Sequence, residues 1–397
     1  MGAPAARIFE LSRRWVEKGA EVTVITGFPN HPTGVKPLEY RNKVFMREEI
    51  EGISVIRTYV YATPNEGFFK RILGFMSFMF SSITQGTIQS NKQDIIIATS
   101  PQFFVAVAGY VISRLKRIPF IFEVRDIWPE SIIQLGILKN KTIVKILESL
   151  ELFLYRRAIH IVGVADSTVW LLTDRGIPSE KISIIKNGVD LDLFDQHVDG
   201  RSLRSELNIH EKFLISYIGT HGLSHALDKV LDTAKILEKN DKIRFLFIGE
   251  GAEKKKLIQK AENLNLENVI FLDQIQKNEL PEYYATSDMV LVTLRNLPLF
   301  KCVIPSKIFE IMAMAKPILI SIEGESRNIV IEQAKAGVSI TPENAEDLAR
   351  QIIQIYENKE LLYTLGENGR KFVERFFNRN ILADRYLKLI QNILNPT

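Results

Sequence analysis

The segment Pro305-Ser306-Lys307-Ile308-Phe309-Glu310 sets a helix-starting proline, a hydroxyl, an ammonium and a carboxylate within six residues. Proline suits the first turn of a helix, where its missing N–H is not needed. A helix opening here aims free amides and the positive end of its dipole at an anion such as a phosphate, and Lys307 adds a full charge. Glu310, one turn along, can accept two hydroxyls of a ribose. One short segment thus offers partners for both halves of a sugar nucleotide.

A second dense cluster is Glu123-Val124-Arg125-Asp126-Ile127-Trp128-Pro129-Glu130. Asp126 and Glu130 flank a Trp-Pro pair just past an apolar strand, where a carboxylate can act as a base and the Trp128 indole can stack on a sugar ring. Arg125 can pair with either acid, and a purely structural Arg–Asp pair is the plainer alternative. In Gly219-Thr220-His221-Gly222-Leu223-Ser224 the glycines let amides approach a phosphate, and His221 or His225 can donate to it; a tight turn without a ligand fits equally well. Gly249-Glu250-Gly251 is a bare G-x-G and not a nicotinamide fingerprint. Gly2-Ala3-Pro4-Ala5-Ala6-Arg7 opens a helix with a small-residue turn suited to phosphate. Only Met1 precedes it in the sequence, where a doubly wound sheet carries its first strand, so that strand is expected to be missing. Asp190-Leu191-Asp192 matches a two-carboxylate metal pattern, but no histidine or third acid joins it, and an ordinary linker is the expected reading.

Alternating strands and helices must position these groups. Val22–Thr26, Ile53–Arg57, Ile95–Ala98, Phe120–Val124, Ile159–Val164 and Ile182–Ile185 read as one series of strands, with helical periodicity over Ala5–Glu17 and Ile143–Arg157 between them. A second series follows at Phe213–Gly219, Ile243–Gly249, Val269–Leu272, Met289–Val292 and Pro317–Ile320. The polar stretch Asn187–Asn208 is the best linker. The expected fold class is therefore α/β, with two doubly wound Rossmann-like domains and an inter-domain cleft. The expected domains are 1–190, 191–370 and a closing helix, about Gly369 to Leu394, whose 371–397 part crosses back to the first domain.

Length supports two domains, since 397 residues exceed one ordinary core. Residues 1–190 hold 24 Lys and Arg against 18 Asp and Glu, whereas the remainder holds 27 against 29. That excess is too dilute for a nucleic-acid groove; it fits a solvated surface, an anionic membrane surface or a phosphorylated acceptor. Cys302 is the only cysteine, which excludes intrachain disulfides and points to a reducing cytoplasm. No signal peptide is read at the start. The uncharged window Ile95–Ser113 reaches spanning length but contains Thr99-Ser100-Pro101-Gln102, so a strand, a turn and a helix are expected there. Phe68 to Phe80, with Lys70 and Arg71 at its start, suits a helix lying in a lipid interface or a core helix with a basic end.

Taken in order, Gly2-Ala3-Pro4-Ala5-Ala6-Arg7, Arg125-Asp126-Ile127-Trp128-Pro129-Glu130, Asn187-Gly188-Val189-Asp190 and Pro305-Ser306-Lys307-Ile308-Phe309-Glu310 resemble glycosyltransferase family 4, retaining enzymes of the GT-B fold, over nearly the whole chain. The branch most similar in look is that of the bacterial L-fucosamine transferases of surface-polysaccharide assembly. The resemblance implies an acceptor-binding first domain and a second domain that binds a UDP-sugar donor, with no metal and no cofactor. It implies that Glu310 holds the ribose, that Ser306 and Lys307 hold the diphosphate with Gly2 and Ala3 on its other side, and that Glu250, Gly251 and Ile275 line the nucleotide and base pocket. Asp126 would be the base or acceptor-positioning acid, giving Asp126, Lys307 and Glu310 as the catalytic set. Arg125, Trp128, Glu130, Gly219, His221, Gly222 and Lys301 complete the substrate-binding set.

Three departures stand out. The family often carries two glutamates separated by seven residues, and counting back from Glu310 puts Cys302 where the first is expected. The usual Arg and Lys clamp after the first strand of domain two is replaced by Thr220 and His221, so diphosphate binding leans on Lys307, Lys301 and His221. The first strand is expected to be missing. The expected activity is retaining transfer, by same-face substitution within an ion pair, of a sugar such as an N-acetylated deoxyhexosamine. The expected acceptor is a polyprenyl-diphosphate-linked saccharide at the inner membrane face, in O-antigen or capsule assembly. A GT-B nucleotide-sugar epimerase and a degenerate, non-catalytic partner are the alternatives.

Overall fold

The computed structural model describes residues 3–30, 34–63, 68–100, 102–127, 129–130, 133 and 138–395. The chain divides into two compact units, one built from Pro4–Lys186 with Ala383–Thr397 and the other mainly from Asn187–Leu382.

In the first unit, α1 (Ala3–Glu17) leads to β1 (Thr23–Gly27), followed by β2 (Phe45–Ile50), β3 (Ile53–Thr58), α2 (Phe68–Gln89), β4 (Ile96–Thr99), α3 (Phe103–Lys116), β5 (Phe120–Val124), α4 (Lys141–Arg157), β6 (His160–Gly163), α5 (Ser167–Thr173) and β7 (Ile182–Ile184). The strands form two sheets, one in the order β1-β3-β2 and one in the order β4-β5-β6-β7. All the pairs are parallel except β2 with β3. Among the described residues β1 pairs only with β3 and β4 only with β5, so each keeps one edge without a strand partner. All five residues of β1 are half-buried, in contrast to the fully buried β5. The window Ile95–Ser113 is a strand, a turn and a helix, and no helix among the described residues is long and apolar enough to cross a membrane.

α3, α4 and α5 pack around one core with the four-stranded sheet, as crossovers of the usual right hand between successive parallel strands require, and α2 packs on α3. Their core joins Phe120, Phe122 and Val124 to Phe103, Leu154 and Tyr155. On α1, Arg7 reaches Glu123 and the carbonyls of Ile185 and Lys186.

The second unit holds six parallel strands in the order β10-β9-β8-β11-β12-β13: β8 (Phe213–Ile218), β9 (Ile243–Ile248), β10 (Val269–Leu272), β11 (Met289–Thr293), β12 (Ile318–Ser321) and β13 (Gly337–Ser339). β8 and β11 are buried along their full length, as apolar runs covered on both faces must be. The helix after β11 is α6 (Lys307–Ala313). The stretch Asn187–Asn208 is packed: Val189 bridges to Asn378 and Phe194 is buried.

The closing segment is two helices where one was expected, α7 (Lys359–Phe376) and α8 (Arg379–Leu394). The break falls where Phe377 stacks on Phe309, ring centroids 4.4 Å apart, and where Val189 pairs with Asn378. From Ala383 onward α8 belongs to the first unit, where the Trp15 indole donates to the Ala383 carbonyl at 3.1 Å and Trp15 meets Tyr386 edge to face.

Candidate functional site

In the second unit the loops at the carboxyl ends of β8, β9 and β11 meet. This is where an open α/β sheet binds ligands. Gly219 follows β8 with φ +147°, and a Cβ there would stand 2.5 Å from the Nζ of Lys307. Only glycine leaves room for that ammonium. The same economy joins the next loop, since a Cβ on Gly251 would stand 2.3 Å from the His221 carbonyl oxygen. The His221 amide donates to the Glu250 carbonyl at 2.9 Å.

Lys307 opens α6. Its Nζ lies 4.0 Å from the centroid of the Tyr217 ring, closed off from solvent and without a hydrogen-bond partner. Burial penalises the charged form and lowers its pKa to about 8, with Glu310 opposing the shift. His221 is fully buried against the rings of Tyr217, Phe247 and Phe271, and neither ring nitrogen has a partner. Burial, Lys254 and Lys307 bring its pKa down to about 4, so near neutrality it is a neutral imidazole with one N–H to give. His225 contacts the Thr293 carbonyl at 3.4 Å, and burial holds its pKa down at about 3. A buried ammonium and a buried imidazole, both without a hydrogen-bond partner, form a polar cluster that can receive an anion.

One turn along α6, Glu310 accepts from the Tyr284 hydroxyl at 3.2 Å. Burial raises its pKa, with Lys277, Tyr284 and Lys307 opposing. Ser306 caps α6 without a side-chain hydrogen bond. Glu250 and Asp273 both hold Lys254, and Ile275 follows β10 half-buried. Gly222 follows His221, and a Cβ there would make ordinary contacts with Thr220 and His225 at 3.5 and 3.7 Å. Lys301 stands apart from that cluster, paired with Glu323 at 2.8 Å and half-exposed. Cys302 closes the short turn Pro298–Cys302, ahead of α6.

The first unit places the other cluster at the carboxyl end of β5. Glu123 is fully buried and takes both Nε and Nη2 of Arg7, with the Thr99 hydroxyl at 3.1 Å. Burial pushes the Glu123 carboxyl up, but Arg7 outweighs it and the pKa ends below the ordinary value. The Ser100 hydroxyl accepts from the amides of Arg125 at 2.7 Å and Asp126 at 3.2 Å, which fixes both side chains at the sheet end. Asp126 is pushed up by burial against the pull of Arg125. Glu130 is half-buried. Ala3 is the first residue of α1, and Gly2 and Trp128 lie outside the described residues. At the linker, Asp190 is buried and its Oδ1 accepts from the Asp192 amide at 3.3 Å. No group of three or more His, Cys, Asp or Glu suited to a metal ion occurs among the described residues.

Sequence reasoning passed over Tyr217 and Tyr284, which sit under Lys307 and beside Glu310. Tyr217 belongs to the apolar run of β8, where it reads as core; Tyr284 lies on a helix far along the chain, and nothing local marks it.

The Glycosyltransferase Family 4 domain family matches residues 5–193, and the family described as Glycosyl transferases group 1 matches residues 200–372. WcaI of Escherichia coli, assigned as a glycosyl transferase of colanic acid biosynthesis, is 24% identical over 94% of this chain and 92% of its own length. WbjE of Pseudomonas aeruginosa, assigned as a glycosyltransferase, is 23% identical over 81% of this chain and 80% of its own. Among solved structures, Anabaena HepE in complex with UDP and glucose superposes with a TM-score of 0.74 at 17% identity, covering 98% of this chain and 96% of that one. With two transferase domain families side by side on a GT-B fold, the chain is a glycosyltransferase of the family 4 type.

Proposed function

We propose that the chain transfers a sugar from a UDP-sugar donor to a polyprenyl-diphosphate-linked saccharide in bacterial surface-polysaccharide assembly, with retention of configuration. One observation carries the reading: the unpaired Lys307 ammonium beside Gly219 and His221, with Glu310 one turn along the same helix. A nucleoside diphosphate supplies the anion for the first three and the ribose hydroxyls for the fourth. The UDP bound to HepE and the polysaccharide role assigned to WcaI support this choice of donor and pathway class. The L-fucosamine branch, and with it an N-acetylated deoxyhexosamine, belongs to the same proposal.

In this reading Lys307, Ser306, Gly219, Gly222 and His221 stabilise the departing diphosphate, Glu310 holds the ribose, and Glu250, Gly251 and Ile275 face the base. Lys301 would have to leave Glu323 to join them. Leaving-group charge is met by fixed cations and amides, so departure needs no proton donor. Asp126 positions or deprotonates the acceptor hydroxyl, with Arg125, Trp128 and Glu130 around it and Gly2 and Ala3 on the far side of the diphosphate. Attack on the face that the diphosphate leaves preserves the anomeric configuration.

The membrane contact is proposed through α2, α3 and α4. Together with the Arg117 cap of α3 they carry nine Lys and Arg against two acids, more than the whole excess of residues 1–190. Phe80 and Ile88 on α2 are 58% and 73% exposed, and Ile143 and Ile146 on α4 are 44% and 61% exposed. Cations around exposed apolar side chains suit an anionic lipid surface at the inner face of the cell membrane. Incubating the purified chain with a panel of UDP-sugars and a polyprenyl-diphosphate-linked saccharide, and reading the new anomeric proton by NMR, tests the proposal. Product with the donor's anomeric configuration supports it; neither donor binding nor transfer sinks it.

A further inference from the structure

We propose that Arg125 is the receptor for an anionic group carried by the acceptor, within about one sugar residue of the hydroxyl that Asp126 positions. The inference rests on the transferase reading and adds to it the chemical class of the acceptor. The Nε and Nη1 of Arg125 are closed off from solvent and have no hydrogen-bond partner. The carboxylate closest along the strand, Glu123, is taken by Arg7 on both oxygens and by Thr99. Asp126, next in sequence, makes no ion pair with Arg125 although their charges interact. Arg7 therefore holds the hydrogen bonds of Glu123, and Arg125 is left with attraction at a distance to Glu123 and Asp126.

Arginine keeps its proton at any physiological pH, so the shortfall cannot be relieved by deprotonation. Arg125 is half-buried, and two desolvated nitrogens without a partner weaken the fold, a penalty that is removed when a ligand brings an anion with two oxygens to the guanidinium. The backbone is built to hold this arrangement. The Ser100 hydroxyl ties down the amides of Arg125 and Asp126 together, so the cation and the acid stay side by side at the carboxyl end of β5. Asp126 is the group suited to a hydroxyl and Arg125 the group suited to an anion, and their adjacency fixes how far apart those two features lie on the acceptor. The phosphate of a glycosyl diphosphate and the carboxylate of a uronic acid present the same paired oxygens.

The test uses the full chain and three acceptors built on one monosaccharide: its phenoxyundecyl diphosphate, its neutral phenoxyundecyl ether, and that ether with C6 oxidised to a carboxylate. The expected result is that wild type prefers at least one anionic acceptor over the neutral one by about 100-fold in kcat/KM, and that Arg125→Gln lowers this ratio at least tenfold, chiefly through KM. Arg125→Lys restores part of it. Which anionic acceptor is preferred identifies the source of the anion. A ratio near one in wild type, or one unchanged in Arg125→Gln, overturns the proposal, whereas absence of UDP binding and of all transfer in wild type sinks the transferase reading instead. Thermal unfolding without ligand gives a readout apart from activity. Arg125→Leu is expected to unfold at a higher temperature than wild type, because an unpaired cation is removed; a Tm several degrees lower shows a structural role and overturns the proposal.

Discussion

The ammonium of Lys307 sits 4.0 Å from the centroid of the Tyr217 ring and touches no acceptor, so an aromatic face and the charge of Glu310 at a distance are what offset its burial. Replacing it with methionine keeps the packing and removes the charge. Lys307→Met is expected to lower kcat/KM by about 100-fold or more, as loss of one transition-state donor does, while UDP affinity falls in parallel. Steady-state kinetics with isothermal titration of UDP checks both.

The same residue sets a pH dependence. Folded and unliganded, Lys307 titrates near pH 8, below the unfolded value of 10.5. Between those values the unfolded chain binds more protons, so this residue makes the unliganded protein more stable as the pH rises through that window. Lys307→Met flattens the rise in a urea-unfolding series. A bound diphosphate restores the proton, so UDP affinity should weaken above about pH 8 by up to roughly tenfold per unit.

Tyr284 donates to Glu310 at 3.2 Å and holds that carboxylate in place. Tyr284→Phe is expected to weaken UDP binding about three- to tenfold, the equivalent of one ordinary hydrogen bond, since the lost bond acts on UDP only through Glu310. Glu310→Ala should abolish discrimination between UDP and its 2′,3′-dideoxy analogue. Competition binding with the two nucleotides reads both effects.

Arg7 and Glu123 form a buried pair that ties α1 to β5. Arg7→Leu strips the buried Glu123 of its guanidinium hydrogen bonds and leaves it the Thr99 hydroxyl and the charge of Arg125 alone, so the variant should cost about 3–5 kcal/mol in denaturant unfolding. The double variant Arg7→Leu with Glu123→Leu should recover much of that loss.

Ile146→Ser combined with Phe80→Ser removes two exposed apolar side chains from the basic helical layer. Flotation with phosphatidylglycerol vesicles should fall at least fivefold, and binding by the unaltered chain should weaken as salt rises from 0.05 to 0.3 M, a range that shortens the Debye length to below about 10 Å. Transfer to a short-chain acceptor in solution should persist, since neither residue touches the sites.

The strand runs were legible because continuous β-branched stretches have few other uses, and Lys307 and Glu310 were legible because they share one helix turn. β2 was not, since Phe45-Met46-Arg47-Glu48-Glu49-Ile50 carries three charges in a row. Its hairpin had a local mark all the same. Glu51 and Gly52 both take positive φ, 49° and 76°, the pattern of a tight two-residue turn. The break at Phe377 was hidden because a stacking partner, Phe309, lies 68 positions back in sequence. Arg125 looked like half of a surface pair; only the fold shows that Arg7, more than a hundred residues earlier, has already claimed Glu123.

The one-sided pairing of β1 and of β4 has a consequence in the time domain. In an unbroken parallel sheet, interior strands are the last to release their amide protons, because opening them requires global unfolding. Here β1 and β4 each lack a neighbour on one side among the described residues, so in deuterium exchange they should behave as margins and not as a centre. β8, paired on both sides in the other unit, should hold its protons longest. In the first unit slow exchange is left to β3, β5 and β6, each paired on both sides, so protection there falls into two separate patches, whereas the half that carries Lys307 and Glu310 protects one continuous six-stranded sheet.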